Sequence, residues 1–488
     1  MRKAEENQYS FGKVDISQIK INPKSRDEID KTVKGLQYIY TSDAIRTEVF
    51  KLLEEKVLPK VSKKTGRPGM HYWKILVLGV LKQVCSWDYD KLLHFANCDL
   101  LIRQLLGHPE SEWGEYEYEL QTLKDNITLL TPEIIKQISE IVVKAGHNLL
   151  GGKKKEELHT NVDSFVVKTD VHHPSDISLL FDSMRKSIKL TADICEVYNI
   201  AGWRQSKHNI RTLKNELRRI GQLKHSGKTA QDEKIKTAHS QFISKAGTLL
   251  TNVIETLTKI RRDVAVDLVL EIQLQEIEKY IKYAEKHIEL IDRRVLRGEI
   301  IPHCEKIFSI FESFTRWISK GKMGVPVELG LPLSIMKDQH GFILDYQIMK
   351  TETDVDIPVK LTERAIKKFL AIKSISLDKG FWSPTNFKEL NEFIAKVVMQ
   401  KKGYLNKAEK ERQSEKEFVK LRRKHSSVES AINGLDHCGL DKCYDHELPG
   451  FERCVAMSLL ARNIFTLGKH LKEKEEKRLR RKKHKKAA

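Results

Sequence analysis

The chain lacks any apolar run long enough to span a bilayer. Its longest, Ile75 to Leu81, falls far short of the roughly 18 residues a crossing helix needs. The N-terminus carries no apolar core of a secretion signal, so a cytosolic, non-membrane protein is expected. Cysteine is scarce: seven are scattered over 488 residues, an odd number that reads as reduced thiols rather than a disulfide framework. No C-x-x-C pair occurs. The cluster His437, Cys438, Cys443, His446 and Cys454 therefore reads as buried thiols and loop histidines, not a zinc knuckle. There is no G-x-x-x-x-G-K-[ST] loop, which excludes a P-loop nucleotide cofactor. Acid is also in deficit, with 67 Asp and Glu against 87 Lys and Arg, a formal charge of +20. Such an excess attracts polyanions, nucleic acid foremost.

What is present suffices for packed cores, since 40% of residues are hydrophobic and wholesale disorder is excluded. The length suggests about three domains. Residues 1–66 are polar and weakly periodic. After the Arg67-Pro68-Gly69 breaker a helix is predicted over Tyr72–Val84, then two short ones over Tyr89–Ala96 and Leu100–Leu106. With Lys74, Lys82, Lys91 and Arg103 they suggest a helix-turn-helix-like DNA-binding domain over 67–150. A short strand is expected at Asn161–Lys168. From about Ser178 to Phe314 the pattern is helical, with three- and four-residue spacings at Ile210, Leu213, Leu217 and Ile220 and again from Ile277 to Val295. Beyond Gly321 a hairpin, a helix, a strand, a short helix over Pro384–Phe393, a strand and a charged helix follow. The last helix is expected over Phe451–Leu471, and the basic stretch 471–488 as a disordered tail. That order fits a mixed α/β sheet with flanking helices, as in ribonuclease-H-like folds.

Three acids stand out by position: Asp163 in the first strand, Asp378 at the C-terminal end of a later strand, and Glu429 in a late helix. Strand ends and a facing helix can gather acids distant in sequence. Two-metal phosphoryl transfer needs such a cluster, with ions about 3.5–4 Å apart. Among 67 acids other triples fit as well. Asp170 and Asp176 remain alternatives for the first.

The segments Asp163-Ser164-Phe165-Val166-Val167 through Asp176-Ile177-Ser178-Leu179-Leu180, Asp378-Lys379-Gly380-Phe381-Trp382-Ser383, and His425-Ser426-Ser427-Val428-Glu429-Ser430 into Gly439-Leu440-Asp441-Lys442-Cys443 resemble the three catalytic blocks of bacterial insertion-sequence DDE transposases. The likeness is greatest to the group called ISNCY. Ile301–Phe308 and Val325–Gly330 also resemble family sequence between the blocks, and the helices after Arg67-Pro68 its N-terminal helical domain. The resemblance spans roughly residues 65–470.

It implies a ribonuclease-H-like catalytic domain in two parts, 151–178 and 319–470, interrupted by a helical insertion over 179–318. It further implies that Asp163, Asp378 and Glu429 hold two Mg²⁺ or Mn²⁺ ions. The activity implied is hydrolysis at the element's end followed by strand transfer. The implied partners are terminal inverted repeats, target DNA and a second copy in a synaptic dimer or larger assembly. Many relatives carry Arg four residues before the glutamate and Lys seven after it; here those positions are His425 and Asp436. Arg422, Arg423 and Lys424 are candidates to grip phosphate instead, with Arg67, Lys74 and Trp382 as further DNA contacts. Two alternatives stand beside this reading: a metal-dependent nuclease that cuts without joining, and a transposase-derived DNA-binding protein without chemistry.

Overall fold

In a computed structural model the described residues are 3–5, 12–22, 25–57, 69–109, 114, 116–151, 157–225, 232–319 and 326–487. The chain divides into two compact units, one formed by Met1–Asp170 with Gly330–Ala488, the other by Val171–Leu329. No helix among the described residues is long and apolar enough to cross a membrane.

The first unit begins with α1 (Glu28–Thr41), α2 (Asp43–Lys56), α3 (Tyr72–Val84), α4 (Tyr89–Cys98), α5 (Leu100–Leu105), α6 (Leu120–Ile127) and α7 (Pro132–Gly151). Aspartates start several of them. Asp27, Asp88 and Asp99 accept from the backbone N–H of Ile29, Lys91 and Ile102, satisfying donors that a helix start leaves open. α3 is apolar on every face and, Lys74 apart, buried along its whole length, as expected of a helix with no polar side. It is therefore a core helix rather than a groove-reading one. Arg103 is buried too, donating to the Asn97 and Tyr116 carbonyls, and Lys82 lies buried 3.6 Å from Asp445. Of the four cations expected to face DNA, only Lys91 is well exposed.

β1 (Leu158–Thr169) closes this stretch. The second unit contains α8 (Asp176–Val197), α9 (Ser206–His225), α10 (Asp232–Asp263), α11 (Leu268–Ile291) and β2 (Arg316–Ser319). A Ser175–Ser178 capping box starts α8. The expected seam is present: Leu213, Ile220, Ile277, Ala284 and Ile291 are buried in one core with Phe242 and Leu250. Arg211, Lys214, Arg218 and Arg219 lie on the exposed flank.

The chain re-enters the first unit in β3 (Val327–Asp338). It continues through β4 (Ile343–Ile348), α12 (Pro358–Lys368), β5 (Ile372–Leu377), α13 (Pro384–Phe393), β6 (Lys396–Met399), α14 (Lys407–Ser414), α15 (Lys416–His425), α16 (Ser427–Leu435), β7 (Lys442–Cys443) and α17 (Glu447–Ala487). The fold is mixed α/β with a mixed sheet. β1 is central, antiparallel to β3 and parallel to β5; β6 lies parallel beside β5, β4 antiparallel on β3, and β7 along the end of β1.

One core joins α1–α7, the sheet and α17, so the segment 67–150 does not stand apart from it. Nor does 1–66, whose Val33, Leu36, Ile39, Val49 and Leu53 are buried there. α1 and α17 cross at glycines. A Cβ on Gly468 would sit 1.8 Å from the Lys31 carbonyl oxygen, and one on Gly35 2.4 Å from that of Ile464. The stretch 471–487, expected as a disordered tail, continues α17 as helix.

Candidate active site

The parallel register of β1 and β5 ends at Val162 opposite Leu377. The next residue on each strand is one of the expected acids, Asp163 and Asp378, and neighbouring strands run about 4.8 Å apart. At Asp378 the strand stops because the chain turns into a single 3₁₀ turn, Lys379–Phe381, and the Asp378 side chain does not cap it. That leaves an exposed carboxylate at the strand end.

Glu429 comes from the first turn of α16. Two strand residues anchor that turn. Asn161, two positions before Asp163 and so on the same face, donates to the Lys424 carbonyl (3.2 Å) and Ser427 Oγ (3.0 Å). Lys337, opposite Asn161 on β3, donates to the Ser427 carbonyl (2.9 Å) and Oγ (3.1 Å). α16 is thus fastened over the face of β1 that carries Asp163.

Asp163 feels the charges of the other two. Burial pushes the Asp163 carboxyl up to about 6, and the charges of Asp378, Asp354 and Glu429 push the same way. The Ser164 backbone N–H, donating to Asp163 Oδ1 at 2.8 Å, opposes them. The alternatives for the first acid are engaged elsewhere: Asp170 pairs with Lys442 (2.5 Å), and Asp176 pairs with Arg294 (3.0 Å) in the second unit.

Asp354 is the residue that sequence reasoning missed. It opens a 3₁₀ turn after β4 and accepts from Ser164 Oγ at 2.7 Å. Gly380 makes room for it, since a Cβ there would lie 3.3 Å from Asp354 Oδ2. Its only signal in the sequence is the pair Asp354-Val355-Asp356 directly after the hairpin.

His425 ends α15 close to Asp378 and Glu429. Burial lowers its pKa while those two charges and the Ser376 backbone raise it, and the net shift is downward. Its Nδ1 is buried without a hydrogen-bond partner. A neutral imidazole is therefore expected at pH 7 rather than a fixed positive charge. Arg422, Arg423 and Lys424 are exposed in the same last turn, where the helix dipole favours cations.

The remaining candidates lie apart from the acids or outside the described residues. Arg67 lies outside them. Lys74 is half-buried, its Nζ 3.4 Å from His108 Nε2. Trp382 packs against the main core, with the Lys401 ammonium 5.8 Å from its ring centre. Cys438, Cys443 and Cys454 are buried thiols, and the hydrogen bond with Cys454, followed by burial, drives Cys443 towards its protonated form. Among the described residues no group of three or more His, Cys, Asp or Glu side chains is placed so that it could hold a metal ion. Comparison with models of protein families, with curated proteins and with solved structures finds no match.

Proposed function

We propose that the chain is a DNA transposase of the DDE type, with a ribonuclease-H-like catalytic unit. One observation carries this reading: Asp163, Asp378 and Glu429, far apart in sequence, meet electrostatically at the end of β5, beside mid-β1 and under the first turn of α16. The central position of β1, antiparallel to β3 and parallel to β5, supports the fold assignment.

The three carboxylates, with Asp354 beside them, offer the hard oxygen donors that select Mg²⁺ or Mn²⁺. An ionised Asp163 held among like charges is also a group that a cation would relieve. Two such ions, when bound, supply Lewis-acid stabilisation of the attacking and leaving oxygens. Asn161 and Lys337 keep Glu429 over the strands, while Arg422, Arg423 and Lys424 present cations to the DNA backbone. In the first step water attacks the phosphodiester at the element's end and releases a 3′-hydroxyl. In the second that hydroxyl attacks a target phosphodiester, so one ester replaces another and no nucleotide cofactor is needed. Two ends must be held together, which calls for a dimer or larger assembly.

The test is Mg²⁺-dependent nicking and joining of duplexes carrying the flanking inverted repeats, with wild type, Asp163→Ala, Asp378→Ala and Glu429→Ala. Wild type should nick and join, and each variant should bind without reacting. Cleavage never followed by joining would point to a nuclease, and binding without cleavage by wild type to a protein that has lost its chemistry.

A further inference from the structure

The second unit, Val171–Leu329, holds none of the three acids, yet it carries a positive excess of its own. It has 27 Lys and Arg against 20 Asp and Glu. Six of those cations, against a single acid, fall on α9, so one helix supplies most of the surplus. Four of the six, Lys207, Arg211, Lys214 and Arg218, are exposed and recur at intervals of four, three and four residues. With 3.6 residues per turn they fall within about 60° of the helix circumference and form one row about 16 Å long.

Two features set this row apart from an ordinary solvated face. The first is that its charges are unmatched. On α10 and α11 cations meet acids: Lys236 pairs with Glu233 (3.4 Å) and Arg261 with Glu278 (2.8 Å). Among the described residues none of the four in the row has an ion pair or a side-chain hydrogen bond, although like charges at these spacings repel one another along a helix. The one acid of α9, Glu216, serves Lys245 of α10 instead, at 2.5 Å. The second is what lies on the other side. Leu213 and Ile220 of α9 are buried in the core of the unit, so the helix has no free apolar face to lay into a bilayer. It offers a partner charge alone.

We infer that the outer row of α9 is a DNA contact of the second unit, one that grips the phosphates of a duplex whatever its sequence. The choice of partner rests on the transposase reading, and the inference extends that reading to the unit without the acids. A duplex presents about one negative charge for every 1.7 Å of its axis, so a row of this length meets more phosphates than it has cations. Each cation that neutralises a phosphate releases counterions, which makes the contact strongly salt-dependent. Phosphate contacts position a duplex and carry no base information, so the row serves repeat DNA and any other duplex equally.

The test measures binding of the full chain to a labelled duplex of arbitrary sequence by fluorescence anisotropy, from about 50 to 200 mM salt, and repeats it with a duplex carrying the inverted repeats. The variant combines Lys207→Gln, Arg211→Gln, Lys214→Gln and Arg218→Gln, all at exposed positions, and a thermal melt checks that it folds as wild type does. Its log–log salt slope should be shallower by about 3–4, close to 0.9 for each cation removed, and by the same amount on both duplexes. Lys236→Gln, which removes a cation already paired with an acid, should leave the slope almost unchanged. An unchanged slope in a folded fourfold variant overturns the contact and spares the transposase, whose nicking is read separately. A loss confined to the repeat duplex overturns the sequence-independent grip. Wild type binding equimolar phosphatidylserine–phosphatidylcholine vesicles more tightly than DNA, through the same four residues, overturns the choice of partner. Failure of wild type to bind or nick either duplex overturns this inference and the transposase reading together.

Discussion

Replacing Asp163 by Asn should stabilise the protein in the absence of divalent cations. The carboxyl is held at about 6 instead of 3.8, and each unit corresponds to about 1.4 kcal/mol. The whole shift would amount to roughly 3 kcal/mol. Asp163 is only half-buried, and solvent screens part of the effect, leaving about 1–2 kcal/mol. Because the pKa is raised on folding, the folded state binds the proton more tightly than the unfolded chain. Its advantage is complete below about pH 4 and is lost as the pH rises through about 6. The Asn variant has no such dependence and can still accept from the Ser164 N–H. In EDTA the two proteins should unfold at nearly the same urea concentration at pH 4, with the variant more stable by the full margin at pH 7.5, or roughly 2–4 °C in Tm. Millimolar Mg²⁺ should raise the midpoint of wild type and leave the variant where it was. A margin independent of pH, or equal stabilisation of both by Mg²⁺, would refute the argument that Asp163 is strained by burial among like charges.

Other expectations follow from the same geometry. Asp378→Ala and Glu429→Ala alter exposed side chains, so their urea midpoints should stay within about 0.5 kcal/mol of wild type while nicking on gels disappears. Gly468→Ala would force a Cβ against the Lys31 carbonyl and should cost about 1–3 kcal/mol or more, visible in thermal melts. Reversing Arg422 and Arg423 to Glu should weaken repeat binding in a salt titration and lower the log–log slope by about one for every phosphate no longer neutralised.

Where local chemistry decides structure, the sequence was readable. α3 and α13 fall at the residues expected, Tyr72–Val84 and Pro384–Phe393. In the first a breaker precedes an apolar run, and in the second Ser383 caps the helix with Pro384 following. Asp163, Asp378 and Glu429 are expected as a group from the sequence, and the structure sets Asp163 and Asp378 just past the paired ends of neighbouring strands, with the charges of Asp378 and Glu429 acting on Asp163. Asp354 escaped because nothing local distinguishes it: its place beside Asp163 depends on Ser164 and on the absence of a side chain at Gly380. α1 and α2 were read as a polar segment because each shows only a narrow apolar stripe, and what that stripe packs against is distant in sequence: α17 for α1 and α7 for α2. Two of the cations expected to face DNA are placed otherwise for the opposite reason. Lys82 and Arg103 counted as surface charge in the sequence, yet tertiary packing buries them against Asp445 and backbone carbonyls.

The glycine crossing of α1 and α17 also sets an order of events during synthesis. Gly35 emerges from the ribosome 433 residues (468 − 35) ahead of Gly468 on the helix it must touch. At about 5–20 residues per second the wait is on the order of a minute. The second unit need not wait, because its core closes within residues 177–291 and it can fold while the rest is still being translated. The first unit stays incomplete until α17 arrives, and Val33, Leu36 and Ile39 lack part of their packing for that interval. A ribosome that stalls before α17 therefore releases a chain whose second unit is folded while the first, which carries Asp163, Asp378 and Glu429, still lacks the helix that closes its core.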